Sequence, residues 1–217
     1  MENKKIKTKV LRPKLDSNMD ILNLSCEDIV DEAIFSFGKV IDCSLDNYEA
    51  DRITFKQVIF KNVIFNKITF RHIEMVDVIF ENCDLSNADF IEASLHKVEF
   101  VNCKVIGINL SEATLRNVVF ENCNGEYAFF NYSNCKQTAF LQCQLRSSDF
   151  QNSTFSKIEF QECNLLQAQM NFTSLKGIDF TNCDIEGMRA NINDVKGAIV
   201  TTMQAVYLSS LLGLIIK

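Results

Sequence analysis

The sequence has no Trp, one Pro (Pro13) and two His (His72 and His96). So few imidazoles leave no Ser-His-acid or Cys-His arrangement that can be assembled with any specificity, and both His are expected on the surface. No phosphate-binding or dinucleotide-binding glycine pattern occurs either. No catalytic, cofactor-binding or metal-binding residue is therefore expected. A run of about 18 apolar residues, enough to span a bilayer, is also absent, which argues against a membrane partner. Met1 to Lys14 is rich in Lys with isolated aliphatics and has no signal-peptide core. An excess of basic charge is missing too. The formal net charge is −6 over 217 residues, the wrong sign for a nucleic-acid partner. Nine Cys without an export signal point to reduced thiols and a cytoplasmic location.

What the chain does have is 18 Phe, and 15 of them share one register. Every fifth position from Phe35 to Val200 is Phe or Leu in most cases, with a small or β-branched residue two places before it, as in Ala88-Asp89-Phe90 and Ile178-Asp179-Phe180. An α-helix, at about 100° per residue, would scatter such centres around its axis. A flat strand would send alternate centres to opposite faces. Positions two apart do share a strand face, so a turn in every pentapeptide keeps each pair pointing into one interior. That is a coil.

A second period gives the number of sides. Phe60, Phe80, Phe100, Phe120, Phe140, Phe160 and Phe180 recur every 20 residues, as do Cys83, Cys103, Cys123, Cys143, Cys163 and Cys183, with Cys43 and Val63 in the same column. Twenty residues make four pentapeptides, so the fold class is all-β, a quadrilateral β-helix with these two columns in its core. A ladder of metal-binding thiols or disulfides is the chemical alternative for the Cys column. Each Cys, however, takes the inward small position held elsewhere by Ala, Val or Ile, and buried Cys packs as an inert apolar group. Asn62, Asn82, Asn102, Asn122 and Asn182 form a parallel column, read as a stacked amide ladder.

Units such as Cys83-Asp84-Leu85, Ala88-Asp89-Phe90 and Ala93-Ser94-Leu95 resemble the pentapeptide-repeat family, whose fold is a right-handed quadrilateral β-helix. The resemblance covers residues 31–200. The tail beyond Gly197 looks like the C-terminal cap of Qnr-type members, in which a helix makes a head-to-head homodimer. Those proteins are similar to B-form DNA in width and charge and bind DNA gyrase and topoisomerase IV, giving quinolone resistance. The unbroken register departs from Gram-negative members, which carry interrupting loops, and fits the Gram-positive type. Residues 1–30 match the repeat poorly and read as a basic N-terminal arm and first-coil cap. Residues 201–217 read as a cap of one short helix and a short strand. Thr201 or Thr202 is the N-cap, Gly213 the C′ residue, and Leu214 to Ile216 the strand. Met203, Tyr207, Leu211 and Leu212 are the candidate dimer contacts, the alternative being that the helix only seals the last coil.

A type II topoisomerase is thus the implied partner, through DNA mimicry, and a scaffold with no topoisomerase role is the alternative. Residues 31–200 hold 23 acidic and 15 basic side chains. Lys56, Lys97, Arg116, Lys136, Lys157, Lys176 and Lys196 gather in one pair of outward columns, leaving the rest of the rod acidic. At ~4.8 Å per turn, the remaining surface carries one net negative charge per ~3 Å, against about one per 1.7 Å for duplex DNA. Asp89, Glu99, Asp149 and Glu159 are the candidate acids for that surface. Tyr127, Phe129 and Tyr132 also point outward, beside the small centres Gly125 and Cys135. They read either as a contact patch, since interface cores favour aromatics, or as a cover over a weak spot in the core. Outward Ile59, Ile79, Val101, Val119 and Leu141 either extend such a patch or are β-formers on a half-buried surface.

Overall fold

The computed structural model describes residues 8–16, 18–24 and 28–214. From Ile34 to Ile199 the backbone pairs in parallel with itself at a step of 20 residues. Ile34 faces Thr54, Thr114 faces Asn134, and Asp179 faces Ile199. Parallel strands usually need a long crossover, normally a helix. Here the other sides of the coil make the crossover, so the fold closes on itself without one. Eight-residue strands such as Thr54–Lys61 and Thr114–Glu121 stack into the largest sheet, and each wraps two adjacent sides of the rod. We number the sides by their centres: the first at Phe55, the second at Phe60, the third at Phe65 and the fourth at Phe70.

The corners explain why the period is five. Every fifth residue from Glu32 to Gly177 has a positive φ, and 28 of these residues are not glycine. A left-handed residue with a Cβ costs about 1–2 kcal/mol. The coil offsets that cost at once, because the corner N–H donates to the next turn. Asn62 N bonds Glu81 O at 2.9 Å and Asn82 N bonds Val101 O at 3.0 Å. Asn at the corner adds a side-chain rung, with Asn122 Nδ2 donating to Asn102 Oδ1 at 2.8 Å.

Inside, the Phe60 to Phe180 column is buried from end to end. Phe100 and Phe120 lie 4.6 Å apart and Phe120 and Phe140 4.9 Å, nearly parallel. Strand spacing, about 4.8 Å, sets that stacking distance. The column from Cys83 to Cys183 is also buried, whereas Cys43, in the same register, is exposed. These thiols do more than fill space. Cys123 Sγ donates to Phe100 O at 3.3 Å and Glu121 O at 3.4 Å, carbonyls beside a corner. In the column on the opposite side Ser153 and Thr173 hydroxyls bond Phe130 O and Phe150 O in the same way.

Both ends are sealed. At the first coil, Asp20–Ile21 pairs in parallel with Gly38 and Lys39. Leu22 occupies the space over Gly38, where a Cβ would lie 2.2 Å from Leu22 Cγ. At the other end, a helix runs from Thr202 to Ser209 and a 3-10 turn from Ser210 to Leu212. Thr201 caps the helix reciprocally with Gln204, and Gly213 ends it at φ 71°. Ile215 and Ile216 of the expected short strand lie outside the described residues. Among the described residues, no helix is long and apolar enough to cross a membrane.

Candidate interaction surface

The four acids Asp89, Glu99, Asp149 and Glu159 do not come together. A step of ten residues is two sides of the coil, so Asp89 and Asp149 face outward on the fourth side and Glu99 and Glu159 on the opposite, second side. The second pair is also occupied. Arg12 Nη1 lies 3.0 Å from Glu99 Oε1, and Thr8 N donates to Glu159 Oε2 at 2.7 Å. The N-terminal segment that makes these contacts was not locatable from periodicity.

The fourth side is open. Asp89 lies on one column with Asn109, Phe129 and Asp149, each paired in parallel to the next. Tyr127 and Tyr132 occupy the flanking corners, at φ 60° each. Tyr127, Phe129 and Tyr132 are 55%, 45% and 60% exposed. They therefore do not cover a gap in the core. The space at Gly125 is filled from within, where a Cβ would meet Leu145 Cδ2 at 3.1 Å and Val105 Cγ2 at 3.3 Å. At the other small centre, the Cys135 thiol is buried against Ser133 Oγ, and burial pushes its pKa up to about 12. Glu92 and Glu112 share the corner column of Tyr132, and between Asn87 and Asn152 this side and its corners carry no Lys or Arg. The result is an aromatic cluster ringed by carboxylates on a flat, hydrogen-bonded surface.

Asp89 is not bare: Arg71 approaches it at 3.4 Å and Asn109 Nδ2 donates to it at 2.8 Å. Asp149 accepts from Gln151 N at 2.9 Å. Both carboxylates are thereby fixed in orientation. At the early end of the same side, His72 stands at an exposed corner with Nδ1 2.5 Å from Asp51 and Nε2 3.3 Å from Glu92. The hydrogen bond to Asp51 raises the His72 pKa and lowers that of Asp51. His96 is half-buried on the first side. The described residues contain no group of three or more His, Cys, Asp or Glu placed to hold a metal ion.

At the C-terminal end, Met203 is 65% and Leu212 60% exposed. Tyr207 and Leu211 line a cleft of about 360 Å³ with Met188 and Ala190 of the last coil. Gln204, invisible as a functional position in the sequence, is buried and donates to Phe180 O at 2.7 Å and Cys183 O at 2.8 Å. The helix therefore plugs the final coil through a polar contact and leaves apolar side chains outside.

Residues 73–148 and 93–170 match the family model described as pentapeptide repeat region. By structure the chain is similar to HetL from the cyanobacterium Nostoc, a pentapeptide repeat protein involved in heterocyst differentiation regulation. The identity is 14% and the TM-score 0.51, over 78% of this chain and 90% of that one. It is also similar to a trypsin-treated form of QnrB1, a plasmid-mediated fluoroquinolone resistance protein, at 20% identity and a TM-score of 0.45. That match covers 82% of this chain and 97% of the other. No curated protein matches the chain by sequence.

Proposed function

We propose that this chain, whose residues 73–170 match the pentapeptide repeat region, acts without catalysis, by binding a protein partner on the fourth side of its rod. One observation carries this reading: Tyr127, Phe129 and Tyr132 are exposed together, among Asp89, Glu92, Glu112 and Asp149, with no Lys or Arg on this side between Asn87 and Asn152. Aromatic residues give large contact area at small entropic cost, and a ring of one charge sign selects a partner of the other sign. The partner surface is basic, with apolar recesses for three rings.

A type II topoisomerase, DNA gyrase or topoisomerase IV, is the specific partner in this reading. Its DNA-binding surface is of the required sign. The Qnr-type resemblance of the cap favours it, and so does the segregation of acids from the basic columns. With roughly half the linear charge density of DNA, the rod needs the aromatic contacts to compete. A gyrase supercoiling assay with ciprofloxacin tests the proposal. Added protein restores supercoiling, and Asp89→Lys/Asp149→Lys/Tyr132→Ala removes the effect while Glu99→Lys does not. No rescue at high protein excess rejects the topoisomerase and leaves a scaffold for another basic partner. Equal rescue by the triple variant rejects the fourth side.

A further inference from the structure

Residues 8–14 lie lengthwise across the second side, and their contacts fall on successive coils. Beyond the bonds of Thr8 and Arg12, Gln137 Nε2 donates to Lys9 O at 2.9 Å and Leu11 N donates to Asn117 Oδ1 at 3.0 Å. Lys14 N donates to Asp77 Oδ1 at 2.9 Å, and Gln57 Nε2 donates to Lys14 O at 3.0 Å. Val10 packs on Val119, Ala139 and Leu141, the apolar side chains that would otherwise be outward on this side. Val119 and Ala139 are thereby almost fully buried.

We propose that this strip is a peptide-binding groove for an extended, cationic segment, with the chain's own residues 8–14 as a displaceable occupant. A partner tail of the same chemistry, basic with one small aliphatic residue, binds there by taking the strap's place. The seated strap defines what the groove reads. Gln57, Asn117 and Gln137 address main-chain groups, so they select an extended backbone. Glu99 supplies the charge complement through Arg12, Asp77 (with Lys97 3.5 Å away) and Glu159 accept from main-chain amides, and the Val119, Ala139 and Leu141 cup takes one short aliphatic side chain. Pro13, the chain's sole proline, holds its own φ and biases Arg12 toward an extended conformation.

The strap is built to open. It crosses the strands instead of running along an edge, so its own amides have no ladder and bond only to side chains. Leu11 and the Arg12 side chain are each 46% exposed. Segments with few buried contacts and exposed hydrogen bonds occupy the low end of local stability. As a tethered occupant the strap competes at high effective concentration. A free peptide then sees only the open fraction of the groove. Displacement would also uncover three apolar side chains and the Glu99 carboxylate, turning a sealed side into a binding one.

The test uses the full chain carrying Val10→Asp and Arg12→Glu, which undock the strap, and a fluorescent peptide with the sequence of residues 8–14. The peptide binds the variant saturably, at least about tenfold more tightly than it binds wild type, and adding Glu99→Lys in the groove weakens it again. Binding to neither protein, or equally to both, overturns the proposal and makes the strap a fixed brace. Hydrogen exchange on wild type gives an independent reading should the variant unfold. The Leu11 and Lys14 amides exchange at least about 100-fold faster than the Phe120 amide. Protection equal to that of Phe120 overturns the proposal.

Discussion

Phe120 sits between Phe100 and Phe140 and meets Phe130 edge-on at 5.8 Å, with essentially no solvent exposure. Phe120→Ala therefore removes a stacked ring from a column that cannot collapse without bending the coil, and costs about 3–5 kcal/mol. Equilibrium denaturation measures it, and an unchanged midpoint would place the ring outside the core. His72 gives a pH signature at the same scale. Its raised pKa means that its pairing with Asp51 stabilises the fold fully below about pH 6.5 and is lost as pH rises through the raised value. The lowered pKa of Asp51 means the contribution is present above about pH 3.9 and is lost as pH falls through the lowered value. The pair contributes most between those limits. NMR titration of the His72 ring should return its pKa toward the ordinary value in Asp51→Asn, and no change would break the assignment. The Phe and Cys columns could be read from the sequence because burial filters residue type strongly at inward positions. The corners could not, since most left-handed positions here hold Asn, Gln, Glu or Lys where glycine would have announced them.

At the scale of elements, the C-terminal cap divides into a part that sequence rules reach and a part that they do not. An N-cap at Thr201 or Thr202 and Gly213 as terminator follow from local chemistry, and the structure selects Thr201. The plug made by Gln204 depends on which carbonyls the last coil leaves open, and that is known only once the coil exists. Gln204→Ala strips partners from Phe180 O and Cys183 O and should cost about 1–3 kcal/mol. A thermal unfolding midpoint equal to wild type would show that water replaces the amide without loss. The exposed apolar residues of the same helix carry the dimer expectation. If two copies meet cap to cap, Met203→Glu/Leu212→Glu gives a monomer in sedimentation equilibrium with the coil intact. A wild-type protein that is monomeric at high concentration leaves the helix as a seal alone.

Over the whole molecule, a coil with a fixed step turns sequence distance into direction. Twenty residues move one strand spacing along the axis, and ten move to the opposite side. Asp89 and Glu99 look like one acidic set in a list of charges and yet face away from each other, which divides the rod into an open aromatic-acidic side and a strapped one. The strap itself left no periodic trace, because its contacts join residues such as Thr8 and Glu159, 151 apart in sequence. In the sequence, residues 1–30 stand out only as a basic arm and first-coil cap that match the repeat poorly. The geometry of the coil underlies each of these conclusions and can be measured without knowing any partner. Spin labels at Lys67 and at Ser147 or Gln167 occupy one corner column, exposed at Lys67 and Gln167 and half-buried at Ser147, in a background with Cys26 and Cys43 replaced by Ser. Pulsed electron-electron resonance should give separations of about 19 and 24 Å, rising by about 4.8 Å for each 20 residues. Separations that fail to grow by that increment would contradict the four-sided coil.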